Sequence, residues 1–104
     1  MKFQLDKEST NLPEEAIKQE KPSLFQIILH NDDFTPKEFV IEMLQKLFFM
    51  DRLKASNVSL EAHTNGMAIC STGSKDYAES KVLQVVEYAK EKEFPLMCTA
   101  EVAV

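Results

Sequence analysis

A chain of 104 residues with 44% apolar side chains has the size and composition of one globular domain, able to bury roughly 65% of its unfolded surface. Its net charge of −5 and pI near 5.0 argue against a surface that tracks phosphates, so neither nucleic acid nor an anionic membrane is an expected partner. No uninterrupted apolar run is longer than Leu47-Phe48-Phe49-Met50, far short of the ~20 residues a bilayer crossing needs.

The chain divides near Pro22. Residues 1–22 are rich in Lys, Glu and Gln, with Phe3, Leu5, Leu12 and Ile17 too scattered to form a core face. Asn11-Leu12-Pro13-Glu14-Glu15 has the capping Asn, early Pro and first-turn acids of a helix start. A helix of about two turns is marginal alone in water, so this segment reads as a mobile arm or an inert tail. Its mixed charge and lack of an apolar h-region show neither a secretory nor an organellar signal, so the expected compartment is the cytoplasm.

Residues 23–104 read as the folded domain. Leu24 to Leu29 form a short apolar run with β-branched residues at its centre, a buried strand. Thr35 as cap, Pro36 at the first helical position and Glu38 as the reciprocal partner predict a helix. Phe39, Val40, Met43, Leu44, Leu47 and Phe48 share one face of it. Asp51 opens a second helix that reaches about Thr64 and ends at Gly66. Its stripe of Leu53, Val58 and Ala62 is thin, and Ser56, Asn57 and Ser59 are indifferent helix formers. Met67 to Ser71 form a second strand. A third helix over about Lys75 to Lys92 carries Ala78, Val82, Val85, Val86 and Ala89, and Pro95 stops it. From Leu96 to Val104 apolar residues alternate as in a strand with one buried face.

The order βααβαβ predicts an α/β (α+β) two-layer sandwich, a small, mainly antiparallel three-stranded sheet covered on one face by three helices. The other face is left for solvent or a partner. Cys70 and Cys98 lie in strand-like stretches without a CxxC spacing. Buried free thiols are the reading, with a disulfide as the alternative and zinc poorly supported.

The residues that could carry chemistry cluster after the first strand. Asn31-Asp32-Asp33 places short oxygen-bearing side chains between a strand and a helix, where loops commonly display binding groups. With His63 they offer acceptors for a small cation such as an amine. The same residues also fit an Asx-turn and a helix-terminal histidine, and a carboxylate–histidine set can do acid–base work or hold a metal. Among motifs, HExxH, G-x-S-x-G and a Gly-rich phosphate loop are all missing, and the chain has only two glycines.

Taken together, the motifs resemble one family. Asn31-Asp32-Asp33-Phe34-Thr35-Pro36, Glu38-Phe39-Val40, His63 with Gly66, Ala68-Ile69-Cys70, Glu79 with Lys81-Val82, and Pro95-Leu96 with Cys98-Thr99 closely resemble ClpS, from about Ser23 to Glu101. The resemblance implies a fold similar to the C-terminal domain of the ribosomal stalk protein. It also implies a non-enzymatic adaptor that delivers N-end-rule substrates to a Clp ATPase–protease of the ClpA or ClpC type. Neither cofactor nor metal is implied, and the expected state is a monomer. The alternatives are a ClpS-like paralogue with altered specificity, or a small carboxylate–histidine metal or hydrolytic protein.

The resemblance assigns roles by position. Asn31 and His63 would accept directly from the substrate's α-ammonium, Asp32 would act through water and supply negative charge, and Asp33 would shape the loop. The first substrate side chain, Leu, Phe, Tyr or Trp, would enter a pocket walled by Thr35, Val40, Met43 and Leu96. Three wall positions depart from the family's pattern: Lys37 and Ser59 stand where Met is usual, and Ala62 where Val is usual. A wider mouth that favours aromatic N-termini over Leu is the expectation. Asp76, Glu79 and Lys81 match the region that docks on the N-terminal domain of the ATPase, and residues 1–22 match the segment the ATPase engages.

Overall fold

The structure, a computed structural model, describes residues 23–103. The arm, with its expected helix start at Asn11, lies outside the described residues, as does Val104. The described elements are β1 (Phe25–His30), α1 (Lys37–Phe48), α2 (Arg52–Asn65), β2 (Met67–Gly73), α3 (Lys75–Glu91) and β3 (Met97–Val102), in the expected order.

Strand β1 is central, with β2 and β3 pairing antiparallel on either side. The alternation of β1 explains its position. Ile27 and Leu29 are 0% and 1% exposed and face the helices. Leu29 is flanked on that face by Ala68 of β2 and Cys98 of β3. A bulge in the β1–β2 register falls between Ile27 and Ile28, which lets a residue slip without moving Cys70 off the buried side. Helices α1 and α3 complete the core with Ile41, Met43, Leu44, Ala78 and Val85. Phe39 ties the two together, stacking on Tyr88 at 5.2 Å and meeting Phe94 edge-on at 4.7 Å. The opposite sheet face carries half-exposed Met67, Ile69 and Met97. On it, His30 Nε2 and Thr99 Oγ1 are 2.8 Å apart.

Several local details differ from expectation. Pro36, rather than Thr35, occupies the N-cap of α1, with no side-chain cap bond. Glu38 pairs instead with Arg52 at 3.0 Å. In α2, Leu53 is 73% exposed; the buried side is Ala55, Val58, Ser59 and Ala62, small residues that let the helix sit close. Asp51 caps α2 by accepting from the Lys54 N–H, and Gly66 ends it at φ +91°, a conformation that glycine adopts at least cost. Ser74 caps α3 by accepting from the Tyr77 N–H. Gly73 is needed beside it, because a Cβ there would run into the Tyr77 ring. Strand β3 starts at Met97, and Leu96 precedes it as a buried loop residue.

Both cysteines are free and buried. Desolvation raises each thiol's pKa from the ordinary 9.0 to about 12, so both are neutral packing groups around pH 7.

Candidate functional site

The loop after β1 is built by one carboxylate. Asp32 Oδ1 accepts from the backbone N–H of Phe34 and of Thr35, both at 2.8 Å. The Thr35 hydroxyl donates to Asp32 Oδ1 and Oδ2 at 3.0 and 2.9 Å. This is an Asx-turn closed by an additional hydroxyl, and the charged acceptor explains why Thr35 turns toward Asp32 instead of capping α1. The bonds that shape the loop come from Asp32 and not from Asp33.

A second bond sets where the loop sits. The Asn31 N–H donates to the Gly66 carbonyl at 3.0 Å, and the Gly66 N–H donates back to Ala62 at 2.9 Å. The left-handed turn at Gly66 thus joins the loop to the last turn of α2, which carries His63. Asn31 and His63, far apart in sequence, thereby come to line one hollow.

That hollow has a volume of about 370 Å³, within the usual range for a small-ligand cleft. Asn31, Asp32, Asp33 and His63 line it on the acceptor-rich side. Thr35, Lys37, Val40, Ser59, Ala62 and Leu96 also line it. Met43 does not: it is 0% exposed within the core. Leu29, His30 and Leu60 complete the lining. The only sequence signal for Leu60 was its place beside Ser59, and for His30 its place before Asn31. Among the described residues the ion pairs are Glu42–Lys46 and Glu38–Arg52, so neither Asp32 nor Asp33 is neutralised by a cation there. Asn31 and His63 are exposed. Two carboxylates, an amide oxygen and an imidazole beside an apolar wall suit a ligand with a cationic, multi-donor end and an apolar end. No group of three or more His, Cys, Asp or Glu side chains among the described residues could hold a metal ion.

Asp76, Glu79 and Lys81 share the first half of α3 but not one environment. Asp76 and Glu79 are exposed, whereas Lys81 is half-buried. Its Nζ donates to the Leu47 carbonyl at 2.6 Å, at the C-terminal end of α1 where a cation is favoured. It also stands 5.7, 5.2 and 6.0 Å from the ring centres of Phe48, Phe49 and Tyr77. No described helix is long and apolar enough to cross a membrane.

Comparison with known proteins gives a consistent result. The sequence profile of the family described as "ATP-dependent Clp protease adaptor protein ClpS" matches residues 20–99. The chain is 49% identical over 90 residues to the ATP-dependent Clp protease adapter protein ClpS of Vibrio atlanticus, covering 86% of this chain and 85% of the relative. It is 50% identical over 91 residues to that of Alkalilimnicola ehrlichii, covering 86% of each. The fold superposes on Agrobacterium tumefaciens ClpS2 bound to L-phenylalaninamide with a TM-score of 0.78 and 37% identity, covering 80% of this chain and 100% of the other.

Proposed function

The chain belongs to the ClpS family of ATP-dependent Clp protease adaptor proteins, and on that basis we propose that its hollow binds the free α-amino group and bulky hydrophobic first residue of substrate proteins. The adaptor then hands them to a Clp ATPase of the ClpA or ClpC type for degradation by ClpP. The observation that carries this reading is that Asn31 and His63 line one hollow together with apolar Val40, Ala62 and Leu96.

The chemistry supports it. A free α-ammonium has three N–H donors and a full charge, while an internal peptide N–H has one donor and no charge. Discriminating the two takes several converging acceptors and negative potential at a partly desolvated place. Asn31 and His63 accept from the ammonium, while Asp32 and Asp33 supply the potential. Asp32 is already committed to its own loop, so its share of binding is through charge and water. L-phenylalaninamide, the ligand of the Agrobacterium protein, combines an α-ammonium with a benzyl group, the two features these walls complement. Asp76, Glu79 and Lys81 form the surface that docks on the N-terminal domain of the ATPase, and residues 1–22 are the segment the ATPase engages. The protein acts as a cytoplasmic monomer.

At Ser59 and Ala62 the hollow is smaller-walled than the family pattern, and at Lys37 a long charged side chain stands in place of an apolar one. Each methylene of lost contact costs a small guest about 0.8 kcal/mol, so aromatic N-termini are favoured over Leu. Lys37 lays its stem along the rim with its ammonium in water. Titration with peptides that differ only in residue one tests the proposal. Phe, Tyr and Trp should bind, Leu more weakly, and Asp or Lys not at all. Equal affinity for all of them contradicts N-terminal recognition, and equal affinity for Leu and Phe contradicts the widened mouth.

A further inference from the structure

The wall of the hollow contains a buried hydroxyl. Ser59, on the inner side of α2, is 7% exposed and is the one buried polar residue among the described residues. It lines the hollow together with Val40, Ala62 and Leu96. None of the side-chain hydrogen bonds among the described residues involves its Oγ. A hydroxyl has one donor and two acceptor sites. On a helix its proton can return to the carbonyl one turn back, here that of Ala55, but the acceptor sites remain. Any apolar group that fills the hollow desolvates them without replacement, which is unfavourable.

The other polar groups of the hollow have different tasks. Thr35 is bonded to Asp32, and the His30 ring to Thr99. Lys37 is exposed and has no acceptor. Asn31, Asp32, Asp33 and His63 face the substrate's ammonium in the proposed reading. Ser59 is therefore the acceptor available within the apolar wall.

We propose that Ser59 is a specificity-determining residue that favours a first side chain ending in a hydroxyl, selecting tyrosine over phenylalanine. The phenol O–H donates to Ser59 Oγ, whereas a phenyl ring leaves that oxygen unpaired. This inference rests on the proposed recognition of N-terminal residues in the same hollow.

The test titrates the full chain and its Ser59→Ala variant with two peptides that begin with Tyr or Phe and are otherwise identical, each also in N-acetylated form. The unmodified protein should bind the Tyr peptide about threefold to tenfold more tightly, the value of one neutral hydrogen bond. Ser59→Ala should tighten Phe and weaken Tyr until the two agree to within about twofold, and binding of Phe shows that the variant is folded. Equal affinities in the unmodified protein, or a Tyr preference that survives Ser59→Ala, overturn the inference, while sensitivity to acetylation leaves the wider reading standing. If acetylation has no effect on either peptide, the inference and the wider reading fall together.

Discussion

Thr35 Oγ1 lies 3.0 and 2.9 Å from the two carboxylate oxygens of Asp32, and its backbone N–H donates to the same carboxylate at 2.8 Å. The first residue to line the hollow after the loop is thus held by the loop's own charge. Thr35→Val keeps the side chain's shape and removes the hydroxyl. Weakening of Phe-initiated peptide binding by about threefold to tenfold is expected by calorimetry, equivalent to one hydrogen bond of loop order. An unchanged affinity would mean that the Asp32–Thr35 pair does not position the site.

His63 should matter to binding without mattering to the fold. It lines the hollow with an imidazole nitrogen that can accept from the substrate's ammonium, and it is exposed. His63→Ala should weaken a Phe-initiated peptide by about tenfold or more, the loss of one hydrogen bond to a charged group, and leave the urea midpoint unchanged. An unchanged affinity would remove His63 from the site.

Lys81 and Glu79 should separate docking from stability. Glu79 is exposed, so Glu79→Gln should leave the urea midpoint unchanged while weakening capture by the ATPase N-terminal domain. Lys81 donates to the Leu47 carbonyl at 2.6 Å beside three aromatic rings. Lys81→Met should destabilise the fold by about 1–3 kcal/mol, seen in denaturant unfolding. If both variants unfold like the parent, the Lys81 bond contributes nothing to the fold.

The thiols predict the alkaline behaviour. Cys70 and Cys98 have folded pKa values raised from 9.0 to about 12 by burial. The unfolded chain therefore loses these protons first, and stability falls as pH rises from about 9 toward 12. It is fully present below the unfolded value. The variant carrying both Cys70→Ala and Cys98→Ala should show a shallower decline in urea midpoint between pH 8 and 11 (roughly the range around ordinary thiol ionisation). An identical slope would show that other groups govern alkaline unfolding.

The element order was legible because β1, α1 and α3 have strong apolar periodicity and Gly66 and Pro95 are clear stops. Helix α2 was only partly legible. Its buried side depends on Ala55 and Ser59, which no hydrophobicity pattern marks, and Leu53 is exposed because it lies on the opposite face of the helix from Ala55, Val58, Ser59 and Ala62. The capping of α1 was misread because a nearby carboxylate competes for Thr35, a contact set by loop geometry. Met43 matched a wall position by analogy, yet its side chain packs in the core. Residue types grouped His63 with Asn31 as possible acceptors for an amine, and the family resemblance gave the two their role. What joins them is a backbone bond from Asn31 to Gly66, which residue types do not reveal.

The most direct test compares one Phe-initiated peptide with a free amine to the same peptide after N-acetylation. Acetylation removes the charge and two of three donors while leaving the side chain intact. Affinity is expected to fall at least about tenfold, the loss of one charge-assisted hydrogen bond or more, and Asn31→Ala should remove most of that difference. Equal binding of the free and acetylated peptides would contradict recognition of the α-ammonium.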